Sequence, residues 1–444
     1  MKIGFIFPSS DYLYDPFRGD PHTHFQLLTV LESRLGDKVD LELIDLRGIN
    51  RKFIHYRIPE CNIYLHSVYT RDFNEEIEIV NAIKNRYQGT THIAGGPHVI
   101  EFQNECLKQF DTLVFGDGEE VIFDILNDWK NNKLKKIYEQ SGPIDVNDYP
   151  FPKRHFLPKA TIARKNMMNV KKKPEYDEML GTTVIFSRGC ISNCYFCALP
   201  NLRKYNPRIR YRRPEFIKEE IEYLKKEYDI EVISLLDEIG IPPQEKVVIP
   251  YLKAIKETGI WWRGQCRANG FTLQTAKLAR KSGCLAMGLG VESASQRALD
   301  FINKRIDIKE AKKTIKMLND NDIETRVYLI MGLPGEELNI KEKTWKFITE
   351  TKPDLVILSI FTVRPGTMIY NRPDKFGIKR IEKDWDRTMH MYGRYEKEIP
   401  RLTFEYKKET PWGKSLSNQE ILNNYLELQE KISDEGFGLA KKVI

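Results

Sequence analysis

The chain has 444 residues, of which 41% are hydrophobic and 30% are charged, so it is long enough for two or three folded domains. Its 70 basic and 63 acidic residues leave a net charge of +7, which is too dilute to indicate nucleic-acid binding by itself. No apolar run approaches the roughly 18 residues of a membrane span, and seven cysteines, an odd number, argue against a disulfide framework. These features predict a cytoplasmic protein.

Strand-like and helix-like segments alternate through the first 130 residues. Short apolar runs indicate strands, and longer amphipathic runs between them indicate helices. This rhythm predicts an α/β fold that begins with a Rossmann-like, doubly wound parallel sheet of about five strands. The predicted strands are 3–7, 41–46, 63–65, 91–94 and 112–115, and the clearest helices are 25–35 and 75–86.

Two glycine-bearing loops follow strands of this predicted sheet. Gly95 and Gly96 lie in Gly-Gly-Pro-His, and Gly116 opens the run Gly-Asp-Gly-Glu. Such loops are compatible with tight turns or with a phosphate or nucleotide held by backbone amides. The residues leave both interpretations open.

Residues 136–180 show no regular period and contain several prolines before a lysine-rich run. We predict a linker here, between a first domain over 1–135 and a barrel domain over 181–365. The densest basic stretches are 165–173 and 203–213. Solvated surface is the ordinary interpretation of both, and a phosphate-bearing or RNA partner is the alternative.

A second alternation begins at residue 182 and contains six strand and helix units. It predicts a partial (β/α)6 TIM-like barrel, in which the active site lies at the carboxyl ends of the strands. The predicted strands are 182–186, 231–236, 260–266, 284–290, 323–331 and 354–360, with helices over 215–228, 245–258, 272–282, 308–319 and 339–350.

Residues 366–444 alternate poorly and form a small predicted C-terminal region. We expect this region to meet the substrate, and we expect its last helix to be capped at Ser417. It is rich in aromatic residues, including Trp385, Tyr392, Tyr395 and Trp412.

The most informative motif follows the first barrel strand. Cys190, Cys194 and Cys197 form a CxxxCxxC triplet, and Gly189 before them lets the backbone turn. Three thiols of one loop can converge on a metal centre and leave one position open for chemistry. Zinc is the main competitor, but a structural zinc site needs four ligands and no second cysteine pair exists. The single cysteines, predicted to be buried hydrophobic residues, are Cys61, Cys106, Cys266 and Cys284.

Polar residues stand at the predicted ends of the next barrel strands. Because the carboxyl ends of parallel barrel strands share one face, these side chains should lie near the cysteine loop. They are Asp237 and Glu238 after the second strand, Arg267 after the third, and Glu292 and Ser293 after the fourth.

Two glycines precede Glu292 on the fourth strand. Gly288, Gly290 and Glu292 occupy alternate positions, which places all three on one face. Glycines on a strand face leave room for a close neighbour, and we predict that a bound ligand fills it.

The triplet spacing, the preceding Arg-Gly and the pair Tyr195-Phe196 resemble the radical S-adenosylmethionine superfamily. Several other segments resemble the cobalamin-dependent class B of that superfamily. They are the two glycine loops, Ser-Leu-Leu-Asp-Glu (234–238), Cys-Arg-Ala-Asn (266–269), Gly-Leu-Gly-Val-Glu-Ser-Ala-Ser-Gln (288–296) and Met-Gly-Leu-Pro-Gly-Glu (331–336).

The resemblance implies three cofactors, and it implies roles for the residues. The three cysteine thiolates would hold a 4Fe-4S cluster whose open iron takes the amino and carboxylate groups of S-adenosylmethionine. The remaining implied contacts are Asp237 or Glu238 to the amino group, Arg267, Glu292 and Ser293 to the carboxylate or ribose, Phe196, Gly332 and Pro334 to the adenine, and Gly95 and Gly96 to the nucleotide tail of cobalamin.

Some cobalamin enzymes place a histidine on the cobalt from a DxHxxG loop. The nearest approach in this chain runs from Asp20 through His22 to Phe25 and lacks the final glycine. Many members of class B bind cobalamin without such a ligand. We therefore expect a corrinoid whose cobalt takes no histidine of the protein.

The function implied by the resemblance is methylation of an unreactive carbon or phosphorus centre. A second hypothesis keeps the radical chemistry without cobalamin, as a rearrangement, cyclisation, oxidation or sulfur insertion, and a third is a non-catalytic, cluster-bearing redox sensor. The expected partners are a small-molecule or biosynthetic-intermediate substrate and an electron donor such as flavodoxin or ferredoxin.

Overall fold

The computed structural model of the chain describes residues 1–388, 397 and 399–438. The strands are β1 Lys2–Phe7, β2 Asp40–Asp45, β3 Ile63–Ser67, β4 Thr91–Gly95, β5 Thr112–Phe115, β6 Ile137–Glu139, β7 Gly181–Val184, β8 Ser187–Arg188, β9 Arg210–Tyr211, β10 Val232–Leu235, β11 Trp261–Arg267, β12 Cys284–Glu292, β13 Glu324–Met331, β14 Leu355–Ile360, β15 Ile378–Ile381, β16 Phe404–Tyr406, β17 Glu409–Thr410 and β18 Gly413–Lys414.

The helices lie between these strands and after them. They are α1 His22–Leu35, α2 Phe73–Arg86, α3 Pro97–Glu101, α4 Gln103–Cys106, α5 Gly118–Lys130, α6 Lys159–Ile162, α7 Leu199–Leu202, α8 Pro214–Tyr228, α9 Glu245–Thr258, α10 Leu273–Lys281, α11 Gln296–Phe301, α12 Ile308–Asp320, α13 Ile340–Thr351, α14 Met368–Asn371, α15 Trp385–Thr388 and α16 Asn418–Asp434. Short 3-10 helices cover Gly36–Lys38, Arg51–Arg57, Thr70–Asp72, Val146–Asp148, Pro174–Asp177 and Pro373–Phe376.

The first sheet is parallel throughout and has the strand order β2-β1-β3-β4-β5-β6. Its strands are buried on both faces, so Phe5 and Ile6, neighbours on β1, enter different hydrophobic cores. The five predicted strands are confirmed. The sixth, β6, lies in the stretch predicted as linker, because a three-residue edge strand is too short to show a pattern. The strand order reverses between β1 and β3, which is the position where open α/β sheets bind ligands.

The second sheet is also parallel, in the order β14-β13-β12-β11-β10-β7. Within the described residues, no strand pairing joins β14 back to β7, so the barrel is partial, as predicted. Every predicted barrel strand and helix agrees with an observed one to within two residues at each end. The agreement follows from the strong apolar periodicity of parallel β/α units, whose strands are covered on both faces.

The linker packs along both sheets instead of crossing open solvent. Lys153 donates its backbone N–H to Thr29 of α1 at 2.8 Å, and Arg164 pairs with Gly181 of β7. The lysine run is used for contacts within the chain: Lys172 pairs with Asp354, and Lys173 pairs with Asp322. These contacts account for the basic stretch over 165–173.

The C-terminal region contacts both halves of the molecule. Ser417 caps α16 through a capping box with Glu420, which confirms the predicted helix start. Trp385 donates its indole N–H to Glu105 of the first domain at 2.9 Å. Tyr392 and Tyr395, with the rest of 389–396, 398 and 439–444, lie outside the described residues. Among the described helices, none combines the length and apolar composition needed to cross a membrane.

Candidate active site between the two sheets

A cavity of about 380 Å³ lies between the carboxyl ends of the first sheet and the cysteine loop of the barrel. Gly95 and Gly96 line the side formed by the first sheet, whereas Cys190 and Glu238 line the barrel side. The wall between them is largely apolar, with Val114, Ile122, Leu199 and Leu202 among its residues. The two regions that the sequence assigned to different cofactors therefore meet at one cavity.

Gly96 is required by the backbone itself. Its φ is +105°, and a Cβ at this position would lie 2.7 Å from the carbonyl oxygen of Val68 and 2.9 Å from its nitrogen. Gly95 is less constrained, because a Cβ there would make ordinary contact with Val114 at 3.6 Å. A tight turn beside the cavity thus explains the glycine at position 96, whatever the cavity binds.

The second glycine loop is joined to the barrel by ion pairs. Glu119 pairs with Arg188 at 2.6 Å, and Asp117 pairs with Arg210. Arg188 and Arg210 belong to β8 and β9, the hairpin strands before and after the cysteine loop. Because two carboxylates line this loop, it is a poor phosphate cradle, and its observed role is to attach the first domain to the hairpin.

The cysteine loop leaves the barrel at Gly189, whose φ of +98° confirms the predicted turn. Cys194 is buried, and Cys190 and Cys197 are half-buried. Burial raises the pKa of Cys197, and the nearby thiolates of Cys194 and Cys190 add to the shift. Within the described residues, none of the seven cysteines forms a disulfide bond. No three His, Cys, Asp or Glu side chains among them are arranged so that they could hold a metal ion.

The donor chemistry of the loop nevertheless fits an iron-sulfur cluster. The loop supplies three thiols, and the guanidinium of Arg203 fixes its backbone by donating to the carbonyls of Ile191 at 3.1 Å and Ser192 at 2.8 Å. Asn303 adds a bond to the carbonyl of Asn193 at 2.6 Å. The remaining cysteines, Cys61, Cys106, Cys266 and Cys284, are buried as predicted.

Arg267 stands at the end of β11, as the sequence predicted. Its Nη1 lies 3.7 Å from the Sγ of Cys194, and its Nη2 donates to the carbonyls of Lys304 and Arg305. Arg267 therefore places a positive charge beside the sulfur of Cys194, which would stabilise an anionic metal cluster bound there.

Glu292 forms a buried ion pair that the sequence did not reveal. Its Oε1 lies 2.6 Å from the Nζ of Lys304, which is 6% exposed and stands 5.8 Å from the ring centroid of Phe196. Glu292 has a φ of +71°, and the strand pairing shifts between Gly290 and Glu292. In the sequence, Lys304 is simply a lysine twelve residues after Glu292. Nothing there distinguishes it from a surface lysine.

In this structure, side chains of the chain itself occupy the space beside Gly288 and Gly290 where the sequence predicted a ligand. A Cβ on Gly288 would meet the hydroxyl of Tyr328 at 2.5 Å, and a Cβ on Gly290 would meet the Oε1 of Glu292 at 2.6 Å. Strand spacing showed that the glycines admit a close neighbour. It did not show that the neighbours are side chains of the chain itself.

Asp237 and Glu238 are adjacent in the sequence, but Asp237 supports the structure from a buried position, whereas Glu238 is accessible. Asp237 is fully buried and accepts hydrogen bonds from the N–H of Phe186 at 3.2 Å and the hydroxyl of Ser187 at 2.5 Å. Burial raises the pKa of Asp237 to about 7. Glu238 is exposed, lines the cavity and accepts from the N–H of Gly189 at 3.2 Å.

Ser293 belongs to a buried network at the ends of β12 and β13. Its hydroxyl donates to Glu336 at 3.2 Å, and Glu336 also accepts from the N–H of Gly332 at 2.9 Å. Tyr406 from the C-terminal region donates to the carbonyl of Gly332 at 2.8 Å. Burial raises the pKa of Glu336 to about 8. Pro334 is buried in the same turn, whereas Phe196 is half-buried.

The segment 20–25, which resembles a DxHxxG loop without its final glycine, connects the first domain to β7 through hydrogen bonds. Asp20 accepts from the N–H of Thr183 at 2.9 Å, and the Nε2 of His22 lies 2.8 Å from the hydroxyl of Thr183. Burial lowers the pKa of His22 to about 3, so its ring is neutral. His22 lines the cavity, and within the described residues its buried Nδ1 has no hydrogen-bond partner.

Comparison with known proteins gives one family match and several relatives. Residues 184–348 match the model of the Radical SAM superfamily. The chain is 27% identical over 343 residues to an uncharacterized methyltransferase of Pyrococcus horikoshii, a match that covers 74% of this chain and 72% of that protein. It is 32% identical over 203 residues to the anaerobic magnesium-protoporphyrin IX monomethyl ester cyclase of Rubrivivax gelatinosus, covering 45% of this chain and 36% of the cyclase.

Two solved structures share the fold. The radical S-adenosylmethionine methyltransferase TsrM of Kitasatospora setae, with cobalamin and a 4Fe-4S cluster bound, superposes with a TM-score of 0.63 at 14% identity, over 85% of this chain and 78% of TsrM. The cobalamin-dependent S-adenosylmethionine radical enzyme OxsB, with aqua-cobalamin and S-adenosylmethionine bound, gives a TM-score of 0.60 at 16% identity, over 98% of this chain and 61% of OxsB. At these identities the likeness concerns the fold.

Proposed function

We propose that this chain, whose barrel is a radical S-adenosylmethionine domain, is a cobalamin-dependent methyltransferase that acts on an unreactive carbon or phosphorus centre. The observation that carries the proposal is the cavity shared by Gly95, Gly96, Cys190 and Glu238. A corrinoid held at the carboxyl ends of the first sheet would face the thiol loop directly. The names of the Pyrococcus relative and of TsrM support methyl transfer. The titles of the TsrM and OxsB structures support cobalamin as the cofactor.

The three thiolates of Cys190, Cys194 and Cys197 are the proposed ligands of a 4Fe-4S cluster. Such a cluster supplies the single electron that cleaves a carbon–sulfur bond of S-adenosylmethionine. Arg267 places a positive charge beside Cys194, and Arg203 holds the loop backbone, so both prepare the loop for an anionic group.

S-Adenosylmethionine is proposed to bind over the ends of β10 to β13. Glu238 offers its carboxylate to the ammonium group, and Lys304 offers a cation to the carboxylate. In that arrangement Glu292 is released from Lys304 and accepts hydrogen bonds from the ribose. Phe196, Gly332 and Pro334 remain the proposed edge of the adenine, whereas Asp237 and Ser293 act by holding the strand ends in place.

Cobalamin is proposed to occupy the side of the cavity formed by the first sheet. The apolar residues that line this side of the cavity fit the apolar faces of such a cofactor. When bound, cobalamin supplies a transferable methyl group. The proposal assigns cobalamin to residues 1–135, the junction to 136–180, radical chemistry to 181–365 and substrate contact to 366–444.

A cluster enzyme with free thiols fits a reducing compartment, so we place the protein in the cytoplasm.

The test is retention of the corrinoid. Protein purified without oxygen and reconstituted with hydroxocobalamin should keep about one corrinoid per chain through gel filtration, as a specific site requires. With S-adenosylmethionine and a reductant, the bound corrinoid should become methylcobalamin, with release of S-adenosylhomocysteine.

Loss of all corrinoid would reject the methyltransferase and favour radical chemistry without cobalamin. The similarity to a protein named as a cyclase makes ring closure the second candidate. Reductive cleavage of S-adenosylmethionine by the same protein would still separate that enzyme from a redox sensor.

A further inference from the structure

Tyr205 follows the cysteine triplet in the chain, yet its side chain is buried in the first domain. It is 6% exposed and belongs to a hydrophobic cluster with Val68, Val99 and Phe115. In the part of the chain that the structure describes, every other buried member of this cluster lies between residues 68 and 115. An aromatic side chain of the barrel domain is thus built into the core of the first domain.

A short hydrogen-bonded segment connects Tyr205 to the cysteine loop. Tyr205 donates its N–H to the carbonyl of Leu202 at 3.2 Å, which folds the chain into a turn around Arg203. The guanidinium of Arg203 donates in turn to the carbonyls of Ile191 and Ser192, at 3.1 and 2.8 Å. Burial of Tyr205 therefore holds Arg203, and Arg203 holds the backbone between the first two cysteines of the triplet.

The residues after Tyr205 are held against the same domain by polar contacts. Asn206 accepts a hydrogen bond from Gln140 at 3.2 Å and donates one to Asp117 at 3.3 Å, and Asp117 also pairs with Arg210. The hydroxyl of Tyr205, by contrast, is buried and has no hydrogen-bond partner among the described residues. Tyr205 therefore contributes to this attachment through the packing of its ring.

We propose that Tyr205 is a positioning residue for the cysteine loop, whose ring ties the loop, through Arg203, to the core of the first domain. This role rests on the proposed cluster chemistry. Reductive cleavage requires S-adenosylmethionine to lie correctly against the cluster, and a small displacement of a reacting group lowers a rate strongly. The first domain then helps to set where the cluster lies relative to the barrel strand ends.

The test replaces Tyr205 with alanine and measures cleavage of S-adenosylmethionine. Tyr205→Ala should keep its iron and cleave about tenfold more slowly, with KM changed less than about twofold, because the loop is complete but displaced. The assay measures 5′-deoxyadenosine formed by anaerobic, cluster-loaded protein with dithionite. It is made before corrinoid is added, since Tyr205 also lines the cavity. Tyr205→Phe, which keeps the ring and loses only an unpartnered hydroxyl, should match the wild type.

Phe110→Ala is the matched control, because it removes a ring from the same hydrophobic cluster. Phe110 is 2% exposed and belongs to the first domain. Both alanine variants leave a cavity in the cluster, so both should lower the melting temperature. Only Tyr205→Ala should slow cleavage and change the electron paramagnetic resonance spectrum of the reduced iron-sulfur cluster. Tyr205→Leu fills more of the space, so it should fold more stably and show a smaller slowing.

Equal slowing in Tyr205→Ala and Phe110→Ala would overturn the positioning role, since loss of core packing alone would then explain both. Wild-type rates in Tyr205→Ala, or a slow Tyr205→Phe, would overturn it as well. Wild-type protein that holds no cluster, or that holds one and does not cleave S-adenosylmethionine, would refute the proposed function instead.

Discussion

The guanidinium of Arg267 lies 3.7 Å from the Sγ of Cys194 and also bonds the carbonyls of Lys304 and Arg305. One side chain thus links the proposed cluster loop to the turn that carries the buried partner of Glu292. Hydrogen bonds and positive charge at cysteine sulfur help to set the reduction potential of an iron-sulfur cluster. Arg267 is therefore placed to affect both cluster reduction and cosubstrate binding.

Replacing Arg267 with glutamine should make the cluster harder to reduce, because the cation that stabilises the extra electron is lost. A redox titration followed by electron paramagnetic resonance should show a more negative midpoint potential at unchanged iron content. The midpoint potential of Arg267→Lys, which keeps the charge, should lie between those of the wild type and Arg267→Gln. An unchanged potential in Arg267→Gln would mean that the arginine serves only the backbone of the Lys304 turn.

Replacing Cys194 with alanine should remove the cluster. The wild-type chain should carry about four irons and four sulfides, as three thiolates and one open iron position imply. Cys194→Ala should bleach the brown colour and abolish cleavage of S-adenosylmethionine. Iron and sulfide analysis of anaerobic protein measures both, and full iron content in the variant would refute the ligand assignment.

Cys61 and Cys106 provide the matched controls for this experiment. Both are buried in the first domain, and burial raises the pKa of Cys61 to about 11 and that of Cys106 to about 12. Neither belongs to the cysteine loop, and each packs in a hydrophobic cluster of the first domain. Cys61→Ala and Cys106→Ala should therefore keep the wild-type iron content, with a modest loss of stability from the lost packing.

The sequence predicted the parts of this molecule that depend on local patterns. Barrel strands such as β14 show short apolar runs between helical periods, so the sequence predicts their bounds to within two residues. The cysteine triplet was readable because its three donors lie in one loop. The edge strand β6 was missed because three residues hold no period.

Features that depend on which distant residues meet were not predictable. Lys304 is an ordinary lysine in the sequence, and only the fold brings it to Glu292. The hydroxyl of Tyr328 fills the space beside Gly288, and nothing along β12 indicates it. Asp237 and Glu238 are adjacent in sequence, yet only the fold shows that the first is buried and the second accessible.

Replacing Glu292 with alanine should weaken S-adenosylmethionine binding by roughly 1 to 3 kcal/mol, as expected for a lost charge-assisted hydrogen bond. Lys304→Met should weaken binding by a similar amount, because the proposed partner of the carboxylate is removed. Isothermal titration with the cluster-loaded protein measures both effects, and unchanged iron content excludes loss of the site.

The double variant Glu292→Ala/Lys304→Met tests whether the pair acts as a unit. Removing one member leaves the other buried and unpaired. The free energy of unfolding of the double variant should therefore fall by less than the sum of the decreases in the two single variants. Normal affinity in both single variants would show that S-adenosylmethionine binds elsewhere.

Glu336 should make stability depend on pH. Burial raises the pKa of this carboxyl from 4.5 to about 8, so the folded state holds a proton that the unfolded state releases earlier. Its contribution is fully present below the unfolded pKa and is lost as the pH rises through the folded pKa. Between about pH 5 and pH 8 the melting temperature of the wild type should therefore fall relative to that of Glu336→Gln, which cannot ionise. A constant difference across this range would contradict the assignment.

Gly118 offers a cleaner test of the corrinoid site than Gly96. Any side chain on Gly96 would collide with the backbone of Val68 at a positive φ, so loss of cofactor in such a variant would follow from misfolding. Gly118 also lines the cavity, but a Cβ there would touch only Leu27, at an ordinary 3.7 Å. Gly118→Val should keep the fold and its iron while adding bulk at the cavity wall, so the corrinoid retained per chain should fall.

Gly118→Ala, which adds one methyl group in ordinary contact with Leu27, should retain more corrinoid than the valine variant. The measurement is the ratio of corrinoid absorbance to iron after gel filtration, because this ratio is insensitive to the fraction of protein recovered. A graded loss from glycine to alanine to valine at constant iron would locate the corrinoid against α5. Full retention in Gly118→Val would mean that the corrinoid, if bound, avoids this wall of the cavity.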